Sequence, residues 1–276
     1  MATSVDSPIL LPLRDRRRFY GAALALAKLS RRVILRRQAS GFRKRLKADA
    51  SYVTDADLEV ERVLRREITR RFPEHGIIGE EFPAVNAGAP FQWILDPIDG
   101  TLSFTHGIPF FGTIIGLHHH GVPIVGVIDH AALGLCYSAG LGLGSWRNGK
   151  RIRIRDLAPG DVLEREVISA GDRSRFVQCR SGGAFDRLLR IHANVRGYSD
   201  CLGHTLAAEG KVGATLDYGL KLWDLAATRL LVEEAGGKYV VTYETAGEPV
   251  PIYGIIFGKP RVVDWLIPQF VGSRRR

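Results

Sequence analysis

The stretch Trp93-Ile94-Leu95-Asp96-Pro97-Ile98-Asp99-Gly100-Thr101 constrains this chain more than any other. Its apolar opening, Trp93 to Leu95, reads as a short buried strand. Pro97 fixes φ and donates no hydrogen bond, so a turn is expected just after Asp96. Gly100 permits a positive φ or a close backbone approach. Thr101 can cap a following helix, whose first N–H groups would face the two carboxylates. Oxygen ligands beside N–H donors suit a hard cation bridging to an anion, and Mg²⁺ with a phosphate is the natural pair. A capped type I turn with solvated acids is the alternative reading of the same residues.

A chain of 276 residues suits one large domain or two tightly joined halves. No apolar run reaches the length of a membrane span. The run at 7–13 is too short for a signal sequence, and Arg14, Arg16, Arg17 and Arg18 follow rather than precede it. A cytoplasmic protein is therefore expected. Cys136, Cys179 and Cys201 are an odd count without metal-type spacing, which suits buried, reduced thiols. The net charge of +10 raises nucleic acid as a partner. The basic clusters are scattered, however, and no recognition motif accompanies them, so solvated helix faces are the expected origin. A positive surface would still steer an anionic substrate.

Around the central turn, the spacing of Phe19, Ala22, Ala23, Leu26, Ala27, Leu29, Val33 and Ile34 predicts a helix over 15–39. Residues 1–13 read as a loose lead-in. A polar segment, 47–57, precedes a second helix over 57–72, where Asp55 and Asp57 sit at capping positions. A strand at 76–78 runs into Glu80-Glu81. After a short helix over 101–106, strands at 110–117, 122–128 and 132–137 form an antiparallel meander broken by Gly121 and by Asp129-His130. His118-His119-His120 reads as a hairpin end, because a strand alternates sides and cannot aim three consecutive rings at one ion. Gly140-Leu141-Gly142-Leu143-Gly144 lacks the spacing of a dinucleotide loop, and Asn148-Gly149 marks a hairpin turn. The chain divides at a linker over 156–164 into an N-terminal α+β half, 1–158, and a C-terminal α/β half, 159–276, forming one compact unit. In the second half, strands at 167–170, 194–196 and 212–216 alternate with helices at 184–192 and 201–209. Leu220-Lys221-Leu222-Trp223-Asp224 is expected to open one helix running to Ala235, followed by strands at 238–242 and 252–257, a helix at 262–270 and a basic tail.

Four acidic spots stand out: Asp57, Glu80, Asp96 with Asp99, and Asp224. Val53-Thr54-Asp55-Ala56-Asp57, Gly79-Glu80-Glu81, Asp96-Pro97-Ile98-Asp99-Gly100-Thr101 and Trp223-Asp224-Leu225-Ala226-Ala227, in this order, resemble the inositol monophosphatase family. The resemblance covers residues 47–237. It implies an α+β fold, a layered αβαβα sandwich. It implies two or three Mg²⁺ ions, hydrolysis of a phosphate monoester and a homodimer. It makes Glu80, Asp96, Asp99 and Asp224 metal ligands, together with the Ile98 carbonyl. Asp57 and Thr101 take the positions that orient and activate the attacking water, and the Gly100 and Thr101 backbone holds the phosphate. The chemistry agrees: a phosphate dianion repels its nucleophile, and cations on oxygen ligands offset that repulsion.

Within the family, Phe111-Gly112-Thr113-Ile114-Ile115-Gly116-Leu117, Gly126-Val127-Ile128-Asp129 and Ser199-Asp200-Cys201-Leu202-Gly203 resemble the histidinol-phosphatase branch. Asp200 and Asp217 are candidates to pair with the amine and imidazole end of histidinol phosphate. Leu135-Cys136-Tyr137 departs from the polar segment expected there. The rival readings are an inositol-1-phosphate or broad sugar-phosphate phosphatase, and a basic nucleic-acid-binding protein on a phosphatase scaffold.

Overall fold

The protein is described by a computed structural model covering residues 11–47, 52–245 and 250–271. The expected lead-in before residue 11, residues 48–51 of the polar segment and the basic tail at 274–276 lie outside the described residues. Helix α1 (Leu13–Ser40) is followed by β1 (Lys44–Leu46), β2 (Tyr52–Thr54) and helix α2 (Asp55–Arg71). Next come β3 (Gly76–Gly79), β4 (Phe91–Asp99), the short helix α3 (Thr101–Thr105), β5 (Gly112–His119), β6 (Val122–His130), β7 (Leu135–Gly140), β8 (Gly144–Arg147) and β9 (Lys150–Ile152). The second half holds β10 (Ile168–Ala170), α4 (Arg173–Gln178), α5 (Gly182–Ile191), β11 (Val195–Arg196), α6 (Asp200–Ala208) and β12 (Ala214–Leu220). It ends with α7 (Leu222–Leu225), α8 (Thr228–Glu234), β13 (Lys238–Glu244), β14 (Tyr253–Gly258) and α9 (Pro260–Val271).

Strands β3 to β9 form one seven-stranded sheet in sequence order, parallel only at β3–β4. A five-stranded sheet has the order β11-β10-β12-β14-β13. The apolar stripe of α1 and α2 packs on one face of the larger sheet, where Ala23, Ile34, Val60 and Leu64 meet Trp93, Leu95 and Leu117. The opposite face, through Ile94, Ile114 and Ile128, meets α6 and α8 and then Leu220, Ile255 and Phe257 of the smaller sheet. The far face of that sheet is covered by Phe176, Leu188 and Val263 from α4, α5 and α9. The order is thus helix, sheet, helix, sheet, helix: the expected αβαβα sandwich, each sheet buried on both faces.

Several local expectations are corrected. The chain does not turn after Asp96. Strand β4 continues to Asp99 with an irregular register between Asp96 and Asp99, because a residue lacking N–H is accommodated at a break in the ladder. Asp129 and His130 lie inside β6, paired with Cys136 and Leu135, and the turn follows at 131–134. The single helix expected to open over 220–224 and run to Ala235 breaks at Ala226-Ala227. There the backbone lies against the larger sheet: a Cβ on Gly116 would come within 2.4 Å of the Ala226 carbonyl oxygen, and one on Gly126 within 2.9 Å of the Ala227 Cα. The Ala226 carbonyl instead interacts with His118 Nε2 at 3.0 Å. His119 stacks on Phe91, so neighbouring histidines of that triplet serve different partners.

Candidate active site

Parallel pairing of β3 with β4 sets Gly79 beside Leu95, and the Glu80 N–H donates to the Leu95 carbonyl at 3.2 Å. Glu80 therefore leaves its strand next to Asp96. Asp99 ends β4, Asp57 lies in the first turn of α2, and Asp224 lies in α7. Asp96, Asp99 and Asp224 each offer a carboxylate oxygen, all within 4.8 Å of one another.

Each carboxylate is held by its own scaffold. Asp57 closes a capping box: its Oδ2 accepts the Thr54 N–H at 2.8 Å and the Thr54 hydroxyl at 2.5 Å. Its Oδ1 lies 3.4 Å from the Thr101 hydroxyl. That hydroxyl also lies 2.9 Å from the Ile98 carbonyl, which it reaches as donor. Asp224 Oδ2 accepts the Lys221 N–H at 2.7 Å, and Asp99 Oδ2 accepts the Cys201 N–H at 2.5 Å. Asp96 Oδ1 is buried and has no hydrogen-bond partner. Gly100 adopts φ 80°, and a Cβ there would lie 2.9 Å from the Phe110 carbonyl oxygen.

Burial, reinforced by neighbouring acids, shifts Asp57, Asp96, Asp99 and Asp224. Burial, then the fields of Glu80, Asp99, Asp224 and Asp57, raise Asp96 well above the usual carboxylate range. Burial and the charges of Asp200 and Asp224 raise Asp99 likewise. Asp57 and Asp224 are each pushed up to about 6, chiefly by burial, with backbone donors at Thr54 and Lys221 pulling the other way. Such a cluster is unfavourable as bare anions. An unpartnered buried oxygen, three converging carboxylates and an all-oxygen donor set fit a hard divalent cation. Part of the charge is met by Lys47, whose ammonium donates to Glu80 at 2.7 Å and Glu81 at 2.6 Å. Its two partners raise the ammonium pKa. Glu81 nevertheless rises to about 7, because burial and the Glu80 charge outweigh the ammonium.

The two acids expected to meet substrate behave differently. Asp200 opens α6 at φ 55°, and its Oδ2 is 3.4 Å from where a Gly100 Cβ would stand, so it overlooks the central turn. Asp217 is 2% exposed. Its Oδ1 accepts the Tyr218 N–H at 2.9 Å, and its Oδ2 lies 3.6 Å from His204 Nε2.

Residues absent from the sequence reading also shape the site. Glu61 and Arg65 grip the turn that carries Glu80. A signal was available: Glu61 falls on the buried stripe of α2 with Asp57, Leu64 and Ile68. Arg175 reaches Asp200 at 3.8 Å from α4, a helix with no clear periodicity in the sequence.

Residues 15–270 match the inositol monophosphatase family. The chain is 38% identical over 220 residues to a histidinol-phosphatase of Chlorobaculum parvum, covering 78% of this chain and 82% of that protein. It is 36% identical over 207 residues to a histidinol-phosphatase of Mycobacterium tuberculosis, covering 73% and 78%. An inositol-1-monophosphatase of Rhizobium meliloti is 31% identical over 222 residues, covering 79% and 82%. The inositol monophosphatase structure from Anabaena superposes with a TM-score of 0.79 at 27% identity, covering 94% of this chain and 97% of that one.

Proposed function

Because the chain belongs to the inositol monophosphatase family, we propose that this phosphoric monoester hydrolase is Mg²⁺-dependent and acts on histidinol phosphate. The observation that carries the metal assignment is the convergence of Asp96, Asp99 and Asp224 within 4.8 Å around an unpartnered buried oxygen. Glu80, Asp96, Asp99, Asp224 and the Ile98 carbonyl would hold two or three ions. When bound, such ions neutralise the phosphate and lower the pKa of water beside it.

The chain's own groups divide the remaining work. Asp57 Oδ2 is committed to Thr54, which leaves Oδ1, beside the Thr101 hydroxyl, to take a proton from the attacking water. The backbone N–H groups of Gly100 and Thr101 bind phosphate oxygens. Asp200 and Asp217 supply negative charge on the side of the leaving alcohol, which favours a cationic one. The reading includes a homodimer in the cytoplasm. Among the described residues no helix is long and apolar enough to cross a membrane.

Phosphate release from histidinol phosphate and from myo-inositol 1-phosphate, each with Mg²⁺ and with chelator, tests both parts. The expected result is a preference of at least about tenfold in kcat/KM for histidinol phosphate, roughly 1.4 kcal/mol in transition-state binding, and no turnover in chelator. Preference for the inositol ester would replace the substrate, and turnover in chelator would remove the metal.

A further inference from the structure

On the side proposed for the leaving group, Arg175 stands beside Asp200. We infer that Arg175 is a specificity-determining residue: its guanidinium, paired with Asp200, offsets one of the two charges of Asp200 and Asp217 and leaves room for a substrate carrying a single positive charge. The inference rests on the phosphatase reading above but not on histidinol phosphate being the substrate.

Arg175 is fixed in place by its surroundings. Its neighbour Phe176 is fully buried and stacks on Tyr218 at 4.4 Å between ring centres. Its own stem lies over Gly219, where an added Cβ would meet the Arg175 Cβ at 3.0 Å. Gly219 has φ 75°, so that surface is open to the stem only because the position lacks a side chain. From this perch the Arg175 guanidinium lies 3.8 Å from Asp200 Oδ1, with its side chain 36% exposed. Although burial opposes its charge, the fields of Asp217, Asp200, Asp224 and Asp99, in that order, favour the protonated form. Asp99 and Asp224 are candidate metal ligands, so with ions bound the acids left to Arg175 are Asp200 and Asp217. Asp172, at the exposed N-terminus of α4, adds charge only at the rim, where solvent screens it.

The pairing has two consequences. Asp200 stands close to Gly100, where phosphate would be held, and a bare carboxylate there would repel it. Arg175 removes that repulsion. The same pairing caps the attraction for the leaving group at about one net negative charge, which suits an ammonium and gives no advantage to a neutral polyol.

The test compares 2-aminoethyl phosphate with 2-hydroxyethyl phosphate, esters that differ in an ammonium. Each is assayed as a competitor of histidinol phosphate hydrolysis, or of inositol 1-phosphate hydrolysis if that is the better substrate. Arg175→Met keeps the stem over Gly219 and deletes the charge. The ratio of the two inhibition constants is expected to move about tenfold further toward the ammonium ester. The shift should shrink in high salt. Arg175→Lys should bring the ratio back to within about threefold of wild type, since the charge is restored. A ratio unchanged in Arg175→Met would overturn the inference. So would a shift that Arg175→Lys fails to reverse, which would mark the stem and not the charge as the cause. Failure of the wild-type protein to turn over histidinol phosphate would end that substrate assignment while leaving the ratio to decide Arg175.

Discussion

The buried carboxylate of Glu61 accepts the backbone N–H of Glu81 at 2.8 Å. Glu61 is fully buried, and its other oxygen takes the Arg65 Nε at 2.7 Å. Arg65 in turn donates to the Phe82 carbonyl at 2.8 Å and the Pro83 carbonyl at 3.0 Å. One ion pair on α2 thereby clamps the turn that presents Glu80. Gly79 is required because a Cβ there would stand 2.1 Å from the Glu61 carboxylate. Glu61→Gln retains an acceptor for the Glu81 N–H but weakens the hold on Arg65. It is expected to lower Mg²⁺ affinity by about tenfold or more, as loss of an orienting partner does. Calorimetric metal titration checks this, and affinity equal to wild type would show that the clamp does not orient Glu80.

Asp57→Asn should separate chemistry from binding. The amide oxygen can still accept the Thr54 N–H, so the cap should lose no more than about 1 kcal/mol. The amide cannot take a proton from water, so kcat is expected to fall by about 10²–10⁴. Metal affinity and KM should stay within about threefold of wild type if Asp57 acts on the water alone. Parallel metal titration and steady-state kinetics decide the point. An equal loss of metal affinity would make Asp57 a ligand.

The acid cluster gives the metal-free protein an unusual pH dependence. Asp57 and Asp224 are each raised to about 6, and Asp96 and Asp99 are raised well above the ordinary value by burial and neighbouring acids. The folded state therefore holds protons that the unfolded chain releases near the ordinary value of about 4. Stability carried by these groups is present below that value and is lost as pH rises through the folded pKa values. Metal-free protein is thus expected to lose several degrees of Tm between about pH 4.5 and pH 7 relative to protein in saturating Mg²⁺. Asp96→Asn removes a charge from the cluster, so it should reduce that difference and abolish activity. Thermal melts across pH with Mg²⁺ or chelator measure this. A Tm gap that does not widen with pH would contradict the assigned electrostatics.

Gly116→Ala tests how the two sheets set the position of Asp224. The new methyl would meet the Ala226 carbonyl oxygen at 2.4 Å, against backbone with little freedom to move. About 1–3 kcal/mol of stability should be lost through overpacking. Metal affinity should fall as well, because the displaced segment adjoins α7. Denaturant unfolding and metal titration report the two effects, and an unchanged affinity would show that Asp224 is positioned independently of that contact.

Much of the fold was legible in local pattern. The helical spacing from Phe19 to Ile34 corresponds to the buried stripe of α1, and Asn148-Gly149 forms a hairpin turn with φ values of 48° and 76°. The errors share a cause. Pro97 signals a turn wherever neighbours are ignored, yet β5 pairs with the strand on both sides of it. Ala226-Ala227 carries good helix formers, yet the approach of Gly116 and Gly126 stops the helix there. Helix α4 is six residues long, too short for periodicity to declare it.

The order of residues alone determined which groups are available: oxygen donors at Glu80, Asp96, Asp99 and Asp224, a flexible turn at Gly100, and apolar stripes for a layered α+β domain. It did so because side-chain chemistry and short-range periodicity are local properties. Only the tertiary structure decided that Asp96, Asp99 and Asp224 come within 4.8 Å, that Glu61 reaches across to the Glu81 backbone, and that Arg175 stands over Asp200. Apart from the neighbours Asp96 and Asp99, those relations link positions 20 to 128 residues apart. They are set by strand register and by the packing of helices on two sheets, which no short stretch of chain encodes by itself.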